Sequence, residues 1–186
     1  MPEFYTVSRK DISNINQFQL LKKEDINMEI IEVVNIFSQS DAKAVIDNLY
    51  PHGISSHGTQ YLYDRIDHVY DQYGNSYVSN YHAIEIIFEL IRLLNFPSKP
   101  SRFTSAFAWD TLDDAISFKM KICDGFGDIY KVSCENHFKA DMNLLLLGSI
   151  PGAMIFADKY WKGESSKEPL WECLLYGQVN ILEKVQ

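Results

Sequence analysis

Apolar positions along the chain change their period several times, and each change marks an element. Phe4-Tyr5-Thr6-Val7 is aromatic and β-branched, which predicts a short opening strand. Over residues 24–49 the period is helical: Ile30, Val33, Val34 and Phe37 form one stripe, and Ala44, Val45 and Leu49 a second. Ser40-Asp41 between them predicts a helix break, because Ser and Asp favour caps. Pro51-His52-Gly53 ends that region. A second helical block is expected over 59–73, closed by a turn at Gly74-Asn75. Ser76 or Ser79 is the expected cap of the strongest helix, which runs to about Asn95. Ile84, Ile87, Phe88, Ile91 and Leu94 recur there at helical spacing. The helix is therefore assigned to the core, with Phe88 and Ile91 buried.

After Phe96 the pattern shortens. Residues 102–108 read as a strand, and Asp110-Thr111-Leu112-Asp113 as a helix start with an Asp cap and an acidic first turn. Gly125-Phe126-Gly127-Asp128 turns the chain into Tyr130-Lys131-Val132-Ser133-Cys134, which alternates like a half-buried strand. Two apolar runs follow, 141–147 and 151–160, the second more helical. A polar loop over 162–167 leads to 170–185, which reads as a hairpin turned at Tyr176-Gly177. The order is a strand, then helices over about 24–96, then strands with short helices. That predicts one α+β domain spanning 1–186.

Composition narrows the functional classes. The chain has 186 residues, 46% of them hydrophobic and 13% aromatic, enough for a core without covalent staples. The net charge of -8 repels phosphate backbones, so broad nucleic-acid binding is not expected; Arg9-Lys10 and Lys22-Lys23 read as solvated surface. Cys123, Cys134 and Cys173 are odd in number and widely spaced, which indicates neither a disulfide framework nor a zinc site. Met1-Pro2-Glu3-Phe4 lacks the pattern of a signal peptide, and the most apolar stretch carries Glu85, Glu89 and Arg92, so no membrane span is expected and the cytoplasm is the expected compartment. Among five histidines only His52 and His57 sit close together; a metal pair and a pair of exposed loop residues fit that spacing equally.

Phosphate-cradling, nucleophile-elbow and metalloprotease motifs are absent from the sequence. What remains are three separated pieces. The first is Phe4-Tyr5-Thr6-Val7-Ser8-Arg9. The second is Pro100-Ser101-Arg102-Phe103-Thr104-Ser105-Ala106-Phe107-Ala108, with Asp114-Ala115-Ile116-Ser117-Phe118 behind it. The third is Ala157-Asp158-Lys159-Tyr160-Trp161-Lys162-Gly163, followed by Glu172-Cys173-Leu174-Leu175-Tyr176-Gly177-Gln178-Val179. Together they resemble the ADP-ribosyltransferase-like superfamily, in particular its short bacterial cytoplasmic members.

The resemblance covers the opening strand and most of 100–186. It implies a split β-sheet core with a helical insertion between the first strand and the central strands. It also implies NAD as substrate, no metal, and ADP-ribose transfer to a protein, nucleic-acid or small-molecule acceptor. Glu172 is the implied catalytic carboxylate, because cleavage of the nicotinamide–ribose bond develops oxocarbenium character that a carboxylate stabilises. Tyr5, Thr6 and Arg9 fall on the implied cofactor-holding strand, where Thr6 stands in place of the more common His or Arg. Arg102 is the implied diphosphate ligand, and Thr104 or Ser105 would bond the ribose or brace Glu172. Tyr5 and Trp109 offer rings for stacking. A domain of the same fold that binds a nucleotide or a protein without turnover is the alternative. RNA 2′-phosphotransfer is a third reading, and it would call for more clustered basic residues than this chain has.

Overall fold

The computed structural model describes residues 1–9, 11–12, 17–18, 39–63, 68–70, 76–78 and 80–186. In chain order these give β1 (Glu3–Ser8), β2 (Gln17–Phe18), α1 (Gln39–Leu49), α2 (Ser56–Tyr63), β3 (His68–Tyr70), β4 (Ser76–Val78), α3 (Tyr81–Asn95), β5 (Ala106–Ala108), α4 (Leu112–Ile122), β6 (Asp128–Asp141), α5 (Ile150–Lys162) and β7 (Trp171–Lys184). Single 3-10 turns lie at Arg102–Thr104 and Met142–Leu144. The fold is mixed α+β, built on a curled antiparallel sheet with helices on one of its faces.

Long strands β6 and β7 pair along their whole length, and β1 adds to the free edge of β6 through Glu3↔Ser133 to Ser8↔Asp128. On the far side of β7, β5 pairs at Ala106↔Leu175 to Ala108↔Cys173, and β2 at Gln17↔Asn180. The sheet then curls until its two edges meet. Tyr5 and Trp109 exchange both N–H···O bonds at 2.8 Å, and Thr6 Oγ1 donates to the Phe107 carbonyl at 2.8 Å.

One face of the sheet carries Phe4, Tyr130, Val132, Cys134, Leu175 and Val179 as an apolar cluster. The opposite face is covered by α4, through Trp109, Ala115 and Ile129, and by α3 and α5, through Phe88, Ile91, Tyr160, Trp161 and Leu174. Asp141 ends β6 and collects backbone N–H groups from Asn143, Ser166 and Leu170 at 2.7–3.0 Å. A buried carboxylate with that many donors is satisfied. It ties the loop before β7 to the sheet.

Several sequence expectations hold. The opening strand, the helix ending at Asn95 and the helix over 151–160 are present, and Phe88 and Ile91 are buried. Others are corrected. Helix α1 begins at Gln39, so Ser40-Asp41 lie in its first turn, where acidic groups suit the helix dipole, and whether the chain breaks before them falls outside the described residues. The stripe from Ile30 to Phe37 lies outside the described residues, as do Lys10, Lys22-Lys23, Gly74-Asn75 and Ser79.

The block over 59–73 ends as a helix at Tyr63, and His68–Tyr70 pairs antiparallel with Ser76–Val78. The region between β1 and β5 is therefore not purely helical. Helix α3 is preceded by Asn80, whose side chain makes no capping bond, and Ser76 is in a strand. Leu94, one member of its expected buried stripe, is exposed. Thr111 caps α4, accepting from Asp114 N at 3.1 Å, in the role expected of Asp110.

The largest correction concerns 170–185, which is one continuous strand. Cys134 pairs with Val179 but Asn136 with Tyr176, so Gly177-Gln178 oppose Glu135 alone. Gly177 has φ 84°, the positive value that a bulge of this kind reserves for glycine.

Candidate functional site

Arg102 and Glu172 meet, although not as two strand residues. A 3-10 turn replaces the expected strand there: Ser101 is extended at φ -76° and its hydroxyl accepts from Phe103 N at 3.1 Å, capping Arg102–Thr104. The turn aims the Arg102 guanidinium beneath the helical layer. Its Nη1 donates to Glu172 Oε1 at 2.5 Å and to Tyr160 Oη at 2.6 Å, and Tyr160 Oη in turn donates to Glu172 Oε1 at 2.7 Å. Its Nε and Nη2 fork onto Glu85 of α3 at 2.9 and 3.0 Å. His57 Nε2 of α2 lies 3.1 Å from Glu85 Oε1.

The cluster is shut off from solvent. Arg102 is 4% exposed, Glu85 6% and Glu172 1%. The guanidinium is packed under the Phe107 ring, with Cζ 4.7 Å from its centroid. His57 is wedged between Tyr61 and Phe107, with ring centroids 4.6 and 4.7 Å away, and is the partly exposed member at the rim.

Burial works against the charges of Glu85 and Arg102, and their partners outweigh it. It pushes the Glu85 carboxyl up, but the Arg102 charge and the His57 contact bring it down to about 2. It pushes the Arg102 guanidinium down, but Glu172 and Glu85 hold it well above its ordinary value. The Tyr160 hydroxyl is pushed far up by burial and by Glu172, which keeps it a proton donor. Two carboxylates thus face one fixed guanidinium, with a phenol and an imidazole completing the shell.

A second ionic set lies one turn further along α3. Arg92 donates to both oxygens of Glu89, Nη2 to Oε1 at 2.8 Å and Nε to Oε2 at 3.0 Å, and the Tyr50 hydroxyl donates to Glu89 at 3.0 Å.

The other implied site residues have these contacts. The main chain of Tyr5 bridges to that of Trp109, and the Thr6 hydroxyl donates to the Phe107 carbonyl. Arg9 is exposed and lies 3.9 Å from Cys123 Sγ. Thr104 and Ser105 both donate to the Ser101 carbonyl, at 3.2 and 2.8 Å, and so brace the 3-10 turn rather than Glu172. Trp109 is buried with its ring 4.1 Å from that of Phe118, which occupies the surface a cofactor ring would need. Thr6 and Arg102 reach the same residue from two sides, its carbonyl and its ring, so Phe107 is the link between the first strand and the cluster.

Glu85, His57 and Tyr160 complete the cluster, a placement that sequence reasoning did not give them. His57 is on α2 rather than in a loop and is partly exposed, while His52 is exposed in the turn before that helix. A signal for Glu85 existed: Glu85, Glu89 and Arg92 repeat at i, i+4 and i+7, immediately beside the buried row Ile84, Phe88 and Ile91. Charges in that register point inward with the core.

A family model described as a protein of unknown function (DUF2441) matches residues 3–186 of the chain. No curated protein matches it.

Proposed function

The chain belongs to the DUF2441 family, and from there we propose that it acts by binding rather than by turnover at Glu172. The observation that carries this reading is the condition of that carboxylate, 1% exposed and bonded to Arg102 and Tyr160. A group that stabilises a sugar cation must reach the sugar. Releasing this one means breaking a buried ion pair, a loss of about 3–5 kcal/mol. In this reading the scaffold is of the ADP-ribosyltransferase-like kind, and its catalytic carboxylate has become part of an internal ion pair.

A second reading keeps NAD as substrate, with ADP-ribose passed to a protein, nucleic-acid or small-molecule acceptor or to water. What favours it is that Arg102 and Glu172, 70 positions apart, share one guanidinium–carboxylate contact, as a diphosphate ligand and an adjacent ribose ligand would require. Calorimetric titration with NAD, paired with nicotinamide release by wild type and Glu172→Gln, separates the two. The binding reading expects no release above the uncatalysed rate in either protein. A wild-type rate that falls about 100–1000-fold in Glu172→Gln, at little-changed NAD affinity, would overturn it in favour of catalysis.

A further inference from the structure

Helices α1 and α2 bury little of themselves. Of residues 40–62, only Tyr50, Gly53, Ile54, Ser55 and Gly58 are buried, none of them in α1. Tyr50 and Ile54 form an apolar cluster of their own with Ile46, Tyr61 and Leu62, in which Phe103 of the 3-10 turn is the one member from outside the segment. Ser55 donates to the Phe103 carbonyl from N at 2.8 Å and from Oγ at 3.0 Å. Gly58 lies against the same carbonyl, so α2 is seated on the turn that carries Arg102. From there His57 reaches Glu85 at 3.1 Å and Tyr50 donates to Glu89 at 3.0 Å.

We infer that α1 and α2 form a lid, which leaves the body while the sheet stays folded and uncovers the Glu85 side of Arg102. Two observations carry this. The first is the contrast in burial: Tyr130, Val132, Cys134, Leu174, Leu175 and Val179 of β6 and β7 are all 2% exposed or less, whereas the lid is held by one small cluster. Elements with few buried apolar contacts open at lower free energy than the core. The second is where the charges find their partners. Glu85 keeps Arg102, Glu89 keeps Arg92, and Arg102 keeps Glu172 and Tyr160 when the lid departs, because all of these belong to α3, the turn, α5 and β7. No buried carboxylate loses its cation, so the largest cost of exposing an ionic cluster is not incurred.

The cluster is thus built complete on the body, and α2 caps it. With the lid away, Arg102 stands charged and fixed by Glu172 from behind, with its Nε and Nη2 edge on Glu85 turned to solvent. The lid goes beyond the binding reading and does not rest on it, since its opening is measured with no ligand present.

Hydrogen exchange of the full chain, read by mass spectrometry on its fragments at several urea concentrations below unfolding, tests it. Amides of 50–62 should exchange through an opening more frequent and less urea-dependent than that of β6 and β7, because it exposes less surface. Val132→Ala, inside the sheet, should speed exchange in β6 and β7 and leave 50–62 unchanged. Gly58→Ala should speed 50–62 about 5–150-fold, the 1–3 kcal/mol of an overpacked contact at about 1.4 kcal/mol per tenfold. If Gly58→Ala fails to fold, Ser55→Ala takes its place, removing one donor to the Phe103 carbonyl. Uncovering has its own readout: phenylglyoxal, which labels arginine, should modify Arg102 at the opening rate of 50–62. One rate and one urea dependence for all fragments overturn the lid, as does Val132→Ala speeding 50–62 as much as β6. Labelling of Arg102 only at the slow rate of β6 and β7 overturns the uncovering.

Discussion

Trp161 Nε1 donates to the main-chain carbonyl of Phe88 at 2.8 Å, joining α5 to the middle of α3. The two rings are joined through Tyr160, which stands edge-on to both, 5.4 Å from Phe88 and 4.8 Å from Trp161. Phe88→Ala should therefore destabilise the protein by about 3–5 kcal/mol, as expected for a packed aromatic. Trp161→Phe removes the donor and part of the ring and should cost about 1–3 kcal/mol. Urea unfolding measures both. A Phe88→Ala effect below about 1 kcal/mol would make α3 a peripheral element.

Removing Arg102 should be worse than removing either of its partners. Arg102→Met leaves Glu85 and Glu172 buried without their shared cation, an expected loss of about 3–5 kcal/mol. Glu172→Gln keeps the shape and an acceptor for both Arg102 and Tyr160, and should cost less. In the double variant the two losses should fall short of their sum, because the remaining buried charge is smaller. Additivity within about 0.5 kcal/mol would mean that the pair is not coupled.

Acid should strike at Glu85. Its carboxyl falls from 4.5 in the unfolded chain to about 2 when folded, so its contribution is complete above about pH 5 and drains away as pH drops toward 2. The size is on the order of 3 kcal/mol. Chemical denaturation at a series of pH values should show wild type losing stability over that interval. Glu85→Gln should start lower and slope less. Parallel curves for the two proteins would remove Glu85 as the source.

Gly58 allows α2 to touch the turn that carries Arg102. A Cβ there would sit 2.3 Å from the Phe103 carbonyl oxygen, which already accepts from Ser55 N at 2.8 Å and from Ser55 Oγ at 3.0 Å. Gly58→Ala must push this backbone away and should cost about 1–3 kcal/mol. Its thermal midpoint should fall, while Gly148→Ala, where a Cβ meets nothing within 4 Å, should fall only by the strain of its positive φ.

Where a local period decides structure, the sequence was legible. Aromatic and β-branched content foretold β1, alternation the start of β6, and the 3.6-residue repeat α3, while the apolar run over 151–160 only leaned toward the helix α5. The errors came where a distant partner decides. A Gly with positive φ serves hairpin turns and bulges alike, and only the presence of β6 across from Gly177 selects the bulge. Residues 68–70 and 76–78 are strands because they pair with each other, which helical spacing over 59–73 obscured. In the cluster, Glu172 and Arg102 could be singled out as residue types, but their pairing links two segments 70 positions apart, and Glu85 joins from a third. Burial of the carboxylate could be anticipated from its apolar neighbours. The guanidinium that receives it is set by the 3-10 turn.

The curl of the sheet has a consequence for synthesis. Strand β1 bonds only with residues made much later: Glu3 with Ser133, and Tyr5 with Trp109. At about 5–20 residues per second, Glu3 waits roughly 6–25 s on the ribosome before its partner is made. During that time both edges of β1 are open and its aromatic residues have no sheet to join. Productive folding must therefore begin elsewhere, in the β6–β7 pair, whose partners are 30–54 positions apart rather than 130, and the helices packed on it, with the first strand made among the last to be placed.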